Sequence, residues 1–190
     1  ARGNIAKRRR VGYDRKKQAN EVTIMRFLLY AAALLVMIVG DQALKGWTVS
    51  HLELGESTPF IPTIMQLTRV HNYGAAWSSL SGKTVLLIAV TAVMMIAVAV
   101  LLLRRVVRHP LGVAACLLIL GGGIGNIIDR IRLGYVVDMF DLLLFSYPVF
   151  NLADCFVVVG AILGAVYYLW IYEKFDARKK SNDSPSDSHN

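Results

Sequence analysis

The feature that most constrains this chain is the recurrence of four long stretches without charge. A helix crossing the hydrocarbon core of a bilayer needs about 20 apolar residues. Phe27 to Gly40 is uncharged and runs on through Asp41 and Gln42 toward Lys45, and Thr84 to Leu103 lies uncharged between Lys83 and Arg104. Pro110 to Ile128 ends at Asp129, while Cys155 to Tyr172 begins just after Asp154 and extends upstream to Asn151. The pattern predicts an all-α membrane protein with four transmembrane helices, at about 24–44, 84–103, 110–129 and 151–172. Composition agrees, with 55% hydrophobic residues against a globular norm of roughly 45–50%. The net charge of +8 does not point to nucleic acid, because the basic residues bracket apolar segments and form no stripe interleaved with stacking aromatics.

Short loops rich in Lys and Arg stay in the cytoplasm. Residues 1–26 hold nine such residues, the 104–109 turn three and the segment from Glu173 four, whereas 45–83 holds three and 129–154 two beside four aspartates. Both termini are therefore expected in the cytoplasm, with two outward loops. The chain divides into a basic cytoplasmic extension (1–23), a membrane domain (24–173) and a polar, disordered cytoplasmic tail (174–190). A cleaved secretory signal ends at small residues; Asp41-Gln42-Ala43-Leu44-Lys45 does not fit, so the first helix reads as an anchor. The outer segment 46–83 carries Pro59, Pro62 and a β-prone run from Ile61 to Val70, and the segment 130–150 carries Val136 to Phe140. A small extracytoplasmic β-rich element on the membrane surface is expected from them. Gly121-x-x-x-Gly125 and Gly160-x-x-x-Gly164 have the spacing that lets membrane helices approach closely.

Charge at membrane depth is costly, about 2.5–3.5 kcal/mol per residue at a helix centre, and is usually functional. With the topology above, Asp41, Asp129 and Asp154 arrive at one outer face. Asn126-Ile127-Ile128-Asp129 and Asn151-Leu152-Ala153-Asp154 share an Asn-x-x-Asp pattern, which puts amide and carboxylate on one helix face. A purely structural account of Asp154 is an N-cap at Asn151 with Asp154 three residues on. For Asp129 it is pairing with Arg130 or Arg132. The chemical account is a carboxylate pair that cleaves an amide, one ionised to take a proton from water and one protonated to polarise the carbonyl. Helix polarity makes Asp154 the resting base and Asp129 the resting acid. Cys116 and Cys155 form no CxxC pair, and the four histidines lack metal spacing, so no metal or cofactor is expected.

Five ordered segments, Asp41-Gln42-Ala43-Leu44-Lys45, Asn72 to Trp77, Gly125 to Arg130, Gly134 to Asp138 and Phe150 to Asp154, resemble the motifs of bacterial lipoprotein signal peptidase (signal peptidase II). The resemblance implies a monomeric, multi-pass aspartic endopeptidase of the bacterial plasma membrane. Its partners would be membrane lipid and a prolipoprotein cut before a diacylglyceryl-modified cysteine at the outer face. Carried over, it implies Asp129 and Asp154 as the catalytic pair. Asn126, Arg130 and Asn151 support the pair, Asn72 lies near substrate, Asp41 and Lys45 form a first-helix pair, and Asp138 is a structural loop aspartate. A proton-coupled transporter is the rival reading, although the aspartates cluster at one face rather than at the midplane.

Overall fold

A computed structural model describes residues 2–74 and 82–177, with side chains from residue 17 to 175 except Ala19. Four helices are long and apolar enough to cross a membrane: α1 (Arg2–His51), α2 (Thr84–Leu103), α3 (Pro110–Leu133) and α4 (Leu152–Trp170). Between them lie β1 (Ser57–Ile61), β2 (Met65–Asn72) and β3 (Val136–Leu142), and a short π-helical turn, Glu173–Ala177, follows α4. The expected four helices with a small β element are thus present. Two limits differ from expectation. The first helix extends well beyond 24–44 in both directions, so the basic extension is helical and continuous with the span. The third does not end at Asp129 but runs on to Leu133, where Gly134 adopts φ 83 and its N–H donates to the Arg130 carbonyl, a left-handed helix cap.

α3 is the hub, packed against α1, α2 and α4. Its buried positions are mostly small, including Gly112, Ala115, Gly121, Gly122, Gly123 and Gly125. Lipid tails supply no hydrophobic drive between helices, so close backbone approach has to supply van der Waals contact instead. Met37 of α1 packs over Gly121, and Gly160 lies against the Ala115 backbone. Of the glycines between α3 and α4, the one with least room is Gly122, outside both predicted pairs: a Cβ there would strike the Ala153 carbonyl and meet Val157 Cγ2 at 2.9 Å. Gly164, by contrast, has only Ala115 Cβ at 3.8 Å. Gly122→Ala should therefore cost about 1–3 kcal/mol through overpacking, while Gly164→Ala should be neutral or slightly stabilising. Thermal melting of the two variants in detergent tests this; equal melting temperatures would contradict it.

The strands form one antiparallel sheet in the order β1-β2-β3. A tight turn joins β1 to β2, with Ile64 N–H bonded to the Ile61 carbonyl, Pro62 second and Thr63 at φ 64 third, the pattern of a type II turn. Leu67, Val137 and Met139 bury against Leu52, and Leu44 packs on the same cluster, so the sheet sits over the C-terminal end of α1.

Candidate functional site

The polar residues predicted from sequence converge where α1, α3 and α4 meet the sheet. Lys45 is their centre. Its ammonium lies 2.8 Å from Asp41 Oδ2 and 3.0 Å from Asp129 Oδ2, and donates to Asn126 Oδ1 at 3.1 Å. All three ammonium donors are thereby used. Asp41, Lys45, Asp129, Asp138 and Asn151 are each 3% exposed or less, so these charges are shielded from water and depend on one another. The expected i to i+4 pair of Asp41 and Lys45 forms, but the same lysine also reaches across to α3.

Asp129 accepts on both oxygens: Oδ1 from Gln42 Nε2 at 2.8 Å, Oδ2 from Lys45 and from the Val137 N–H at 3.2 Å. The last bond exists because Gly134 stops α3 and turns the chain back into β3. Pairing of Asp129 with Arg130 or Arg132 is not seen among the described residues; Arg130 instead donates to the Gly74 carbonyl at 3.0 Å. Since α3 continues for a further turn, Asp129 does not occupy the helix end that sequence assigns to it.

Asp154 sits at the start of α4 in a capping box with Asn151. Asn151 Oδ1 accepts from the Asp154 N–H at 2.9 Å, and Asp154 Oδ2 accepts from the Asn151 N–H at 3.2 Å. The structural role foreseen for Asp154 is therefore present. Its Oδ1 also accepts from Asn126 Nδ2 at 2.7 Å, and the residue is only half-buried. Asn126 thus joins the two aspartates: one end of its amide meets Asp154, and the other accepts from Lys45, which holds Asp129.

Asn151 Nδ2 donates both to Asn126 Oδ1 at 3.1 Å and to Asp138 Oδ1 at 2.7 Å. Asn72 Nδ2 donates to Asp138 Oδ2 at 2.9 Å, and Asn72 Oδ1 accepts from the Gly74 N–H. Residues 75–77 of the Asn72 to Trp77 motif lie outside the described residues. Burial first, then the Coulomb interaction with Asp154 whenever that carboxyl is ionised, pushes the Asp138 carboxyl up to about 7, against the opposing hydrogen bonds from Asn72 and Asn151. With a folded value above the unfolded 3.8, its contribution to stability is full below about pH 4 and is lost as pH rises through about 7. Wild type should therefore lose melting temperature between pH 4 and pH 7 relative to Asp138→Asn. A gap between the two that does not change with pH would contradict this.

Every site residue predicted from sequence belongs to this network. Gln42 was missed: besides Asp129 it donates to the Gly125 carbonyl and to Asp41 Oδ2, each at 3.3 Å. Its signal was that of a polar amide at membrane depth. The Ala153 N–H, bonded to Asp41 Oδ1 at 3.0 Å, carries no side-chain signal at all.

The family model for signal peptidase (SPase) II matches residues 33–170. A lipoprotein signal peptidase from Streptococcus pyogenes serotype M6 is 43% identical over 155 residues, covering 80% of this chain and 99% of the relative. Its serotype M2 counterpart is 42% identical with the same coverage. Two solved bacterial membrane enzymes share the fold. One, at 2.3 Å resolution, has a TM-score of 0.71 and 27% identity, over 85% of this chain and 94% of its own. The other, at 1.9 Å, has a TM-score of 0.69 and 30% identity, over 75% and 94%. The chain belongs to the signal peptidase II family of peptidases.

Proposed function

We propose that this protein removes signal peptides from prolipoproteins, cutting before a diacylglyceryl-modified cysteine with a water activated between Asp129 and Asp154. The observation that carries the reading is the asymmetric pair itself. Two carboxylates from facing helices are linked through Asn126, which bonds Asp154 directly and Asp129 by way of Lys45; Asp129 is buried against an ammonium, while Asp154 is half-buried and hydrogen-bonded only by neutral groups among the described residues.

An aspartic pair needs one charged and one protonated member. The Lys45 ammonium favours charge on Asp129, which leaves Asp154 to carry the resting proton. This reverses the roles that helix polarity alone assigns. Asp129 then draws a proton from water, and Asp154, the more exposed of the two, donates its proton to the scissile carbonyl as the tetrahedral intermediate forms. As the C–N bond breaks, Asp129 gives its proton to the leaving amine and Asp154 takes one back from a hydroxyl of the intermediate, which forms the new carboxyl and restores the resting pair.

The distribution of Lys and Arg supports cytoplasmic termini and an outer-face site. Such a site matches a substrate whose lipidated cysteine lies at the outer end of its signal helix, with the acyl chains left in the bilayer. The membrane domain is read as 24–173, with Asn126, Asn151 and Lys45 as positioning residues, Asp41 and Asp138 as their supports, and Arg130 and Asn72 bordering the substrate side.

Purified protein incubated with a diacylglyceryl prolipoprotein should release the signal peptide and leave the modified cysteine as the new N-terminus. Proton flux in liposomes without cleavage would favour the transporter reading.

A further inference from the structure

The sheet end of the molecule carries an apolar surface that the polar network does not use. Residues 57–68 and 142–150 hold no charge, and the two segments meet. The Leu143 N–H donates to the Ile64 carbonyl at 2.9 Å, so the β1–β2 turn and the loop after β3 lie side by side. A chain of rings connects them. Phe60 lies 6.5 Å from Phe140, Phe140 5.5 Å from Phe150, Phe150 5.8 Å from Tyr147 and Tyr147 6.2 Å from Phe145, centroid to centroid; each step is within the range of direct ring contact. The strip is half-buried at Phe140 and Phe150, and its two ends are open, Phe60 at 53% and Phe145 at 58% exposure. Its middle is fastened to the site. Phe150 exchanges backbone hydrogen bonds with Phe140, at 3.1 and 2.7 Å. It immediately precedes Asn151, whose side chain holds Asn126 and Asp138 and whose N–H donates to Asp154.

We propose that this aromatic strip covers an acyl chain of the substrate's diacylglyceryl group on its way from the scissile bond to the bilayer, and so sets specificity for long chains. The inference rests on the peptidase reading above. Cleavage before the modified cysteine puts the cysteine-linked glycerol beside Asp129 and Asp154. The first carbons of its chains then have to pass from a polar site to hydrocarbon along a surface that would otherwise face water, and every methylene shielded on that path favours binding. Aromatic rings suit this task, since they offer broad apolar faces at a low cost in side-chain entropy. Lipid of the surrounding leaflet is the competing source of the same acyl chemistry. A strip that served only to seat the sheet in the leaflet has no need to be bonded to the residue that precedes Asn151, and this attachment favours the substrate's own chain.

The test compares two synthetic prolipoprotein peptides, identical except that one carries dipalmitoylglyceryl and the other dibutyrylglyceryl cysteine, cleaved by the full chain in detergent micelles. The readout is the ratio of their kcat/KM values, which does not depend on the fraction of enzyme that is folded. Phe60→Ser with Phe145→Ser should lower the wild-type ratio about tenfold, through a higher KM for the long-chain peptide. Phe60→Leu with Phe145→Leu, which keeps both ends of the strip apolar, should retain the ratio. A serine variant with the wild-type ratio would overturn the proposal, and this includes an equal slowing of both peptides, the result expected if the strip only seats the sheet in the leaflet. A leucine variant that lost the ratio as fully as the serine variant would overturn it too. Wild type that cut neither peptide would remove the peptidase reading and the strip's role with it, whereas cleavage of both with an unshifted ratio removes the strip's role alone.

Discussion

Replacing either Asp129 or Asp154 by asparagine is expected to lower cleavage of a diacylglyceryl prolipoprotein about ten-thousand-fold. Neither amide can exchange a proton with the attacking water or the scissile carbonyl, so the loss falls on the chemical step. Stability should change far less. At position 154 an asparagine keeps one acceptor for the capping box or for Asn126 but not both, a cost of about 1 kcal/mol. At position 129 all three neighbours, Gln42, Lys45 and the Val137 N–H, are donors. An amide turned toward any of them loses a bond, a cost of about 1–3 kcal/mol. Melting curves taken beside the cleavage assay separate the two effects. A folded variant that cleaves at the wild-type rate would remove its aspartate from the mechanism.

Lys45→Met should give the largest loss of stability, about 3–5 kcal/mol, because it strands Asp41 and Asp129 as buried carboxylates without a counter-charge. For a chain of this size that corresponds to a melting temperature lower by roughly 10 °C. Adding Asp41→Asn removes one of the stranded charges and should recover part of the loss, so the two substitutions should be strongly non-additive. Activity should fall as well, since the lysine that favours charge on Asp129 is gone. If Lys45→Met melted like wild type, the lysine could not be the electrostatic centre of the site.

The four spans were legible because a bilayer permits few alternatives: long uncharged apolar stretches have little else to form. The site was legible for a related reason, since polar side chains at membrane depth stand out against an apolar background. What sequence did not reveal depended on contacts between distant segments. The i to i+4 rule finds Lys45 with Asp41, but it reads one helix at a time and cannot find Asp129 on α3. Gln42 gains its role from a partner 87 positions away. The Gly122 approach to Ala153 is a backbone contact that small-residue spacing alone does not distinguish from its neighbours. A charge is a poor stop signal for α3, which passes Asp129 and ends where Gly134, four residues after Arg130, caps it. That one-turn difference matters to the proposed mechanism, because it places Asp129 inside the helix and beside the Lys45 ammonium.

The central claim, that water held between the two aspartates attacks the peptide directly, is tested most directly by single-turnover cleavage in oxygen-18 water containing hydroxylamine. The predicted result is a signal peptide whose new C-terminal carboxylate carries one labelled oxygen, with no hydroxamate. Formation of a peptide hydroxamate would reveal a covalent acyl-enzyme, on Cys155 or on an aspartate, and would contradict the account.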